Sequence, residues 1–368
     1  MKLLIITQKV DQNDQLLGFF IEWIRKFSEK FEKVTVLCLE KGEFSLPENV
    51  EVVSLGKEEN NFQFSIFNFQ SILNVTIFKK IKYLLRFYKY IWRERDDYNT
   101  VFVHMNPIWV VVGGLFWRSF NKKIFFWYTS GGVTTKLKLA ERFADVIFTA
   151  SEDSFRIKSK KVKVMGHGID TELFKPDLAK KNLTNKLKIL SVGRISPVKN
   201  YETLIDAVKI LKDDGVELLV TMVGETALDS DREYELKIKS KIKELSLENY
   251  FKFTGKIVNR DLSSYYQSHD IFIHLSKTGS LDKVILEAMA CNIKFLSSNQ
   301  SSKSFLPSEL IFDENDAKDL ADKIKNIAKI KSGIPGVPGL PFTMMGYVIE
   351  NHNLDNLINK LSLIINDY

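Results

Sequence analysis

The residues best suited to chemistry lie in the run Ile271 to Asn299, IFIHLSKTGSLDKVILEAMACNIKFLSSN. The run reads as a buried strand from Ile271 to Leu275, a polar turn from Ser276 to Asp282, a helix starting near Lys283 that carries Glu287, and a second strand from Lys294 to Leu296. A turn such as Lys277-Thr278-Gly279-Ser280 ahead of a helix brings free backbone N–H groups and the positive end of a helix dipole to one place. That is how a chain holds phosphate without a metal, so the stretch wants an anion. Two cations elsewhere in the chain could converge on a diphosphate. Arg194 follows Gly193 at the end of the apolar run Leu187 to Val192, and Lys199 precedes an amphipathic helix from Tyr201 to Lys212. On a diphosphate, Arg would act as a bidentate fork and Lys as a point charge.

Three further residue sets could do chemistry elsewhere. His104 ends the strand Thr100 to His104, where a doubly wound sheet faces its crevice, and its near-neutral pKa suits it to a sugar hydroxyl or a proton. Asp11 and Asp14, with Gly18, lie in the loop after the first strand, Lys2 to Thr7; they read either as acceptor-binding carboxylates or as a solvated acidic loop. Asp229-Ser230-Asp231 has the look of a metal-binding triplet, but it sits among charges ahead of the helix Tyr234 to Leu245 and reads as a cap.

Strands alternating with helices along the chain predict α/β architecture with parallel sheets. The length of 368 residues and 45% hydrophobic content allow two cores, and the net charge of +7 with a pI near 9.0 points to an anionic partner. The turn Gly166-His167-Gly168-Ile169-Asp170 and the polar, lysine-rich segment Pro176 to Lys188 read as the domain junction. The expected division is 1–175, 176–346, and a final amphipathic helix over 347–368. The Gly/Pro-rich segment 332–346 receives no role. Cys38 and Cys291 lie in apolar or helical contexts, which argues against a disulfide and for a reducing compartment. Neither a signal peptide nor a membrane span is read, because Tyr98 to Trp117, the longest stretch without charges, carries Asn99, His104, Asn106 and Pro107. The expected location is the cytoplasm.

Asn60 to Arg95 interleaves aromatic and basic residues. From Ile77 to Trp92 the apolar positions Ile77, Ile81, Leu84, Leu85, Tyr88 and Trp92 fall at helical steps, giving one apolar and one basic face. Such a helix packs on a sheet or lies on an anionic bilayer at the inner face of the cell membrane. Nucleic acid is not an expected partner, because no glycine-rich, zinc or single-strand-binding motif accompanies the charge.

The pattern LEAMAC behind a Gly-containing loop, the pair Gly193-Arg194 followed by Lys199, and the Gly166 to Asp170 turn together resemble the family-4 retaining glycosyltransferases. The resemblance implies the GT-B fold, with two doubly wound Rossmann-like domains facing a cleft, the first for acceptor and the second for donor. It also implies a last helix that crosses back to the first domain. It further implies transfer of a sugar from a UDP- or GDP-linked donor to a glycan or lipid-linked acceptor in cell-surface polysaccharide or glycoconjugate synthesis, with no cofactor and no metal. Under it, Arg194 and Lys199 bind the donor diphosphate and stabilise the leaving charge. Gly193, Gly224, Gly255 and Lys256, together with Thr278, Gly279, Ser280, Leu281, Lys283 and Val284, line the donor site; Glu287 holds the ribose and His104 meets the sugar or acceptor. The chain departs from the pattern at Gly279, where the family usually has a glutamate eight residues before the second one, here Glu287. A non-catalytic nucleotide-sugar-binding scaffold is therefore the alternative, and an epimerase, which needs paired acid and base residues, a third.

Overall fold

The computed structural model describes the chain except for residues 61–68, 181–185, 227, 277–280 and 330–342. It divides into two compact units, Met1–Met165 with Leu357–Tyr368, and Gly166–Asn356.

The first unit contains, in chain order, β1 (Lys2–Val10), α1 (Phe20–Ser28), β2 (Lys33–Lys41), β3 (Val50–Ser54), α2 (Phe69–Arg93), β4 (Thr100–His104), α3 (Pro107–Ser119), β5 (Lys123–Trp127), α4 (Thr135–Phe143), β6 (Val146–Thr149) and β7 (Val162–Val164). Its strands form one sheet in the order β3-β2-β1-β4-β5-β6-β7, every pair parallel. Because crossover helices cover both faces of such a sheet, the central strands are apolar throughout: Leu3 to Ile6, Val101 to Val103 and Ile124 to Phe126 are buried. Helix α1 starts at Phe20. The Asp14 carboxylate accepts the N–H groups of Leu16 and Leu17, both at 2.9 Å, and holds those residues in a turn.

The second unit holds β8 (Leu187–Val192), α5 (Tyr201–Asp213), β9 (Leu218–Val223), α6 (Asp231–Glu244), β10 (Phe251–Gly255), α7 (Asn259–Ser268), β11 (Ile271–His274), α8 (Lys283–Ala290), β12 (Lys294–Ser297), α9 (Ala317–Ala328) and α10 (Met344–His352). The sheet order is β10-β9-β8-β11-β12, again all parallel. Ser230 stands at the N-cap of α6, and Asp231, in its first turn, accepts the N–H of Leu228, so the Asp229 to Asp231 triplet is built into a helix start. The final segment is two helices where one was expected: Asn353 is extended and pairs with Ile169, ending α10 before α11 (Leu354–Asn366) begins. Leu357–Tyr368 is part of the first unit, with the Tyr368 ring edge-on to Phe125 at 5.6 Å.

The unit division falls at Gly166, ten residues before the expected start of the second domain at 176, because the glycine turn itself belongs to the second unit. A Cβ on Gly166, whose φ is +88°, would sit 2.2 Å from the Asn351 carbonyl oxygen, so only glycine permits this approach. The same close packing buries two histidines. The His167 backbone N–H donates to His352 Nδ1 at 3.2 Å, and neither ring's Nε2 has a hydrogen-bond partner among the described residues. Burial pushes His167 down to about 3 and His352 down to about 4. Both are therefore neutral when folded, while in the unfolded chain they take up protons below about pH 6.5. Stability should then fall as pH drops from 6.5 toward 4, each histidine adding a slope approaching about 1.4 kcal/mol per pH unit. Thermal melts at pH 7 and pH 5 test this: His352→Asn, which keeps an acceptor for the His167 N–H, should reduce the acid-induced drop in midpoint, and an unchanged drop would contradict it.

Candidate functional site

In the second unit, β8 and β11 are the neighbours from which the chain winds in opposite directions, so a crevice opens beyond their carboxyl ends. The residues at those ends are Gly193-Arg194 and His274. Three adjacent strands finish in glycine: Gly193 donates its N–H to the Val223 carbonyl and Gly224 to the Gly255 carbonyl, both at 2.9 Å. At Gly224, with φ +134°, a Cβ would lie 2.1 Å from the Gly193 oxygen. These glycines keep the floor of the crevice low enough for a ligand to reach backbone.

Asp282 organises what stands on that floor. It occupies the N-cap position of α8, yet its side chain makes no capping hydrogen bond. Its Oδ2 instead accepts from Lys199 Nζ at 2.7 Å and from His274 Nε2 at 3.0 Å. Burial alone would raise the Asp282 carboxyl, but the bond from His274 and the charge of Lys199 outweigh it and hold it well below the usual carboxylate range. His274 is buried, which lowers its pKa, so it donates to Asp282 from Nε2 as a neutral ring and can accept from Ser297 Oγ, 3.4 Å from Nδ1. The Asp282 carboxylate is thus turned to Lys199 and His274 while its backbone carbonyl takes the Ile285 N–H at 3.1 Å, and the dipole of α8 favours an anion at this end.

Lys283, the first residue of α8, and Glu287, one turn further along, share a buried field. Desolvation pushes Lys283 down to about 8 against the pull of Glu287 and Asp170, and it raises the Glu287 carboxyl against the pull of Lys283. Glu287 was expected to hold a ribose. In the structure it is 3% exposed, with Tyr266 donating to Oε2 at 3.1 Å and Asn259 to Oε1 at 3.2 Å. Those two partners from α7 orient the carboxylate, and sugar hydroxyls would have to compete with them.

The remaining expected donor residues are placed as follows. Arg194 is half-buried beside the crevice and carries no ion pair among the described residues, Lys256 is exposed beyond β10, Leu281 is buried and Val284 half-buried. Thr278, Gly279 and Ser280 lie outside the described residues. Asp282, His274, Tyr266 and Asn259 were not singled out from sequence. Asp282 stands inside the quoted run TGSLDK, and His274 ends its strand as His104 does, so both signals were present.

In the first unit the expected acceptor residues are engaged with a lysine. Lys9 Nζ lies 3.1 Å from Asp11, 3.2 Å from Asp14 and 3.1 Å from Glu40, an ion cluster in place of the solvated acidic loop. Burial works to lower Lys9, but the bonds to Asp11, Glu40 and Asp14 outweigh it and raise it. A Cβ on Gly18 would meet the Asp14 carbonyl oxygen at 2.4 Å, so Gly18 closes this loop on itself. His104 corrects the expectation of a crevice-facing histidine: it is 1% exposed, stacked on Phe20 at 3.9 Å, with Nδ1 3.2 Å from Thr7 Oγ1. The ring sits at the β1–β4 switch point, but α1 covers it, and as placed it cannot touch a sugar.

Two measurements follow from this geometry. Asp282→Ala removes a charge-assisted partner of both Lys199 and His274 and should cost about 1.5–3 kcal/mol in denaturant unfolding; a neutral result would show the contacts to be incidental. Lys283, charged below about 8, should contribute to pyrophosphate binding that weakens roughly fivefold from pH 8 to pH 9. Lys283→Met should flatten that dependence, and an equally steep one in the variant would assign it to another group.

Residues 174–332 match the family model of the glycosyl transferases group 1. Among similar proteins are the mannosylfructose-phosphate synthase of Agrobacterium fabrum, 24% identical over 38% of this chain and 32% of that one, and the amylovoran biosynthesis glycosyltransferase AmsK of Erwinia amylovora, 30% identical over 39% and 35%. The matches thus span about a third of the length of these relatives. Among solved structures, Anabaena HepE in complex with UDP and glucose aligns over 100% of both chains with TM-score 0.73 at 17% identity. Sucrose-phosphate synthase from Thermosynechococcus elongatus aligns over 100% of this chain and 98% of its own with TM-score 0.75 at 16% identity, and likeness at this level concerns the fold. The glycosyl transferases group 1 match thus lies within the second unit, and the pair of parallel sheets is the GT-B fold of the similar solved structures.

Proposed function

We propose that this protein is a retaining, metal-independent glycosyltransferase that moves a sugar from a nucleoside diphosphate donor to a glycan or lipid-linked acceptor in cell-surface polysaccharide or glycoconjugate synthesis. The reading is supported by Lys199, held by Asp282 at the N-terminus of α8, and by Arg194, which follows β8 at the switch point of the second sheet. As the bond from anomeric carbon to diphosphate breaks, negative charge grows on the departing oxygen. Preorganised cations and N–H groups in a half-buried crevice stabilise that charge far better than water does. Arg194, without an ion pair among the described residues, is the cation readiest to grip the diphosphate. Lys199 has to exchange Asp282 for phosphate, or to act with it as a held pair.

The donor is UDP- or GDP-linked, a reading supported by the UDP and glucose bound in the similar Anabaena protein. The second unit takes the donor and the first the acceptor, and with a lipid-linked acceptor the enzyme works at the cytoplasmic face of the cell membrane. Asp11, Asp14 and Gly18 would shape the acceptor loop through the Lys9 cluster, and His104 would support its floor from beneath. A nucleotide-sugar-binding scaffold is the second reading. It is favoured by Gly279, which leaves no carboxylate at the position where the family usually meets the sugar, and by the prior engagement of Glu287.

Nucleoside diphosphate release from a panel of UDP-, GDP- and ADP-sugars separates the two. The enzyme reading expects release from one donor, lowered by about 10²–10³ in Arg194→Ala. Nucleotide binding without release from any donor, with membrane lipid extract present as acceptor, would support the scaffold.

A further inference from the structure

Helix α2 has two apolar faces where a surface helix needs one. Its core side is made by Phe87 and Ile91, both 0% exposed, with Phe87 against Trp109 at 4.9 Å. The apolar positions read from sequence are largely a different set. Phe78, Ile81, Leu85, Tyr88 and Trp92, spaced by three, four, three and four residues, are 70%, 46%, 64%, 38% and 57% exposed. They form a solvent-facing stripe roughly a third of a turn from the core side. Helix α3 extends it: Tyr88 donates to the Val112 carbonyl at 2.7 Å, Trp92 packs on Phe116 at 5.9 Å, and Leu115 beside them is 72% exposed.

On the far side of the stripe, roughly another third of a turn round, come Lys82, Arg86, Lys89 and Arg93. Across its 25 residues α2 has no Asp or Glu. Lys82 and Arg86 meet Glu59 at 3.5 and 3.0 Å, whereas Lys80 and Lys89 carry no ion pair among the described residues. Arg95 lies over the Trp92 ring at 5.3 Å, and Arg118, on α3, lies over Phe143 at 5.6 Å.

From this arrangement we infer that the α2–α3 face of the first unit docks on an anionic phospholipid bilayer. The apolar stripe enters the boundary between headgroups and acyl chains, and the lysines and arginines beside it meet lipid phosphates. Charge decides the occupant. A second copy related by twofold symmetry would bring this basic stripe against itself, with like charges opposed and only Glu59 and Glu94 beside it to offset them. A bilayer carrying anionic headgroups answers both faces of the helix at once. No described helix is long and apolar enough to cross a membrane, so the contact lies in the plane of the surface. The surface rests on the proposed function only for its purpose, which is to bring the protein to a lipid-linked acceptor.

The test is cosedimentation of the full chain with vesicles of phosphatidylcholine alone or with 30% phosphatidylglycerol, in low and high salt. The expected result is binding to the anionic vesicles only, weakened at least tenfold by Phe78→Asn with Leu85→Asn, and weakened separately by Lys80→Glu with Lys89→Glu. All four side chains are exposed or nearly so, so the fold should survive, and unchanged thermal midpoints check this. Equal binding to neutral vesicles, no binding, or binding untouched by either pair would overturn the inference. Self-association abolished by Phe78→Asn with Leu85→Asn would overturn it too, in favour of a second copy. Donor hydrolysis by the same variants, measured without lipid, keeps the outcome separate from the enzyme reading, since none of the four residues lies in the second unit.

Discussion

One oxygen of Asp282 joins three elements of the second unit: the turn after β8 through Lys199, the end of β11 through His274, and the start of α8, of which it is the N-cap. Were that carboxylate to cap its helix in the ordinary way, Lys199 would be left part-buried without a counter-charge and the N–H groups of α8 would be consumed. Its engagement elsewhere keeps Lys199 paired and holds the carboxylate off the first N–H groups of the helix. The Lys199 ammonium is held beside the helix start by that carboxylate.

The glycines at the ends of β8, β9 and β10 are the complementary constraint. Parallel strands 4.7–4.9 Å apart, as is typical, end in side chains that would fill the crevice, and Gly224 shows how little room there is, with its Cα beside the Gly193 carbonyl. The first unit uses the same switch-point position in another way. There, His104 and Thr7 meet under α1 and the site is packed with Phe19, Phe20 and Trp23, so its polar chemistry is moved outward to the Lys9 cluster with Asp11, Asp14 and Glu40. One topology thus yields an open crevice in the second unit and a closed aromatic floor in the first.

Helix α2 shows how charge and apolarity can be sorted on a surface without entering the core. Its exposed stripe is too regular to be scattered surface apolarity, and the cations of the helix outnumber the acids that pair with them, Glu59 and Glu94. A helix of this kind has its third face for a partner.

Much of the fold was legible in the sequence, because parallel sheets buried on both faces leave continuous apolar runs that end in glycine or a polar turn, and local patterning alone reports these. The positions of Lys283, Glu287, Arg194 and Lys199 relative to the strand ends could be read for the same reason, while the roles given to them rest on the family resemblance. What the tertiary structure decided were the partners across long sequence separations. Asp282 with Lys199, Glu287 with Tyr266 and Asn259, and Lys9 with three carboxylates are pairings that no spacing along one chain encodes. His104 makes the point most plainly. Its place at a strand end was read correctly, but whether it meets ligand or aromatic rings depends on where α1 lies over the sheet, and packing sets that. In α2 the helical period could be read, but which of its two apolar faces would be buried was settled only by contact with Trp109, because periodicity is silent about what stands opposite.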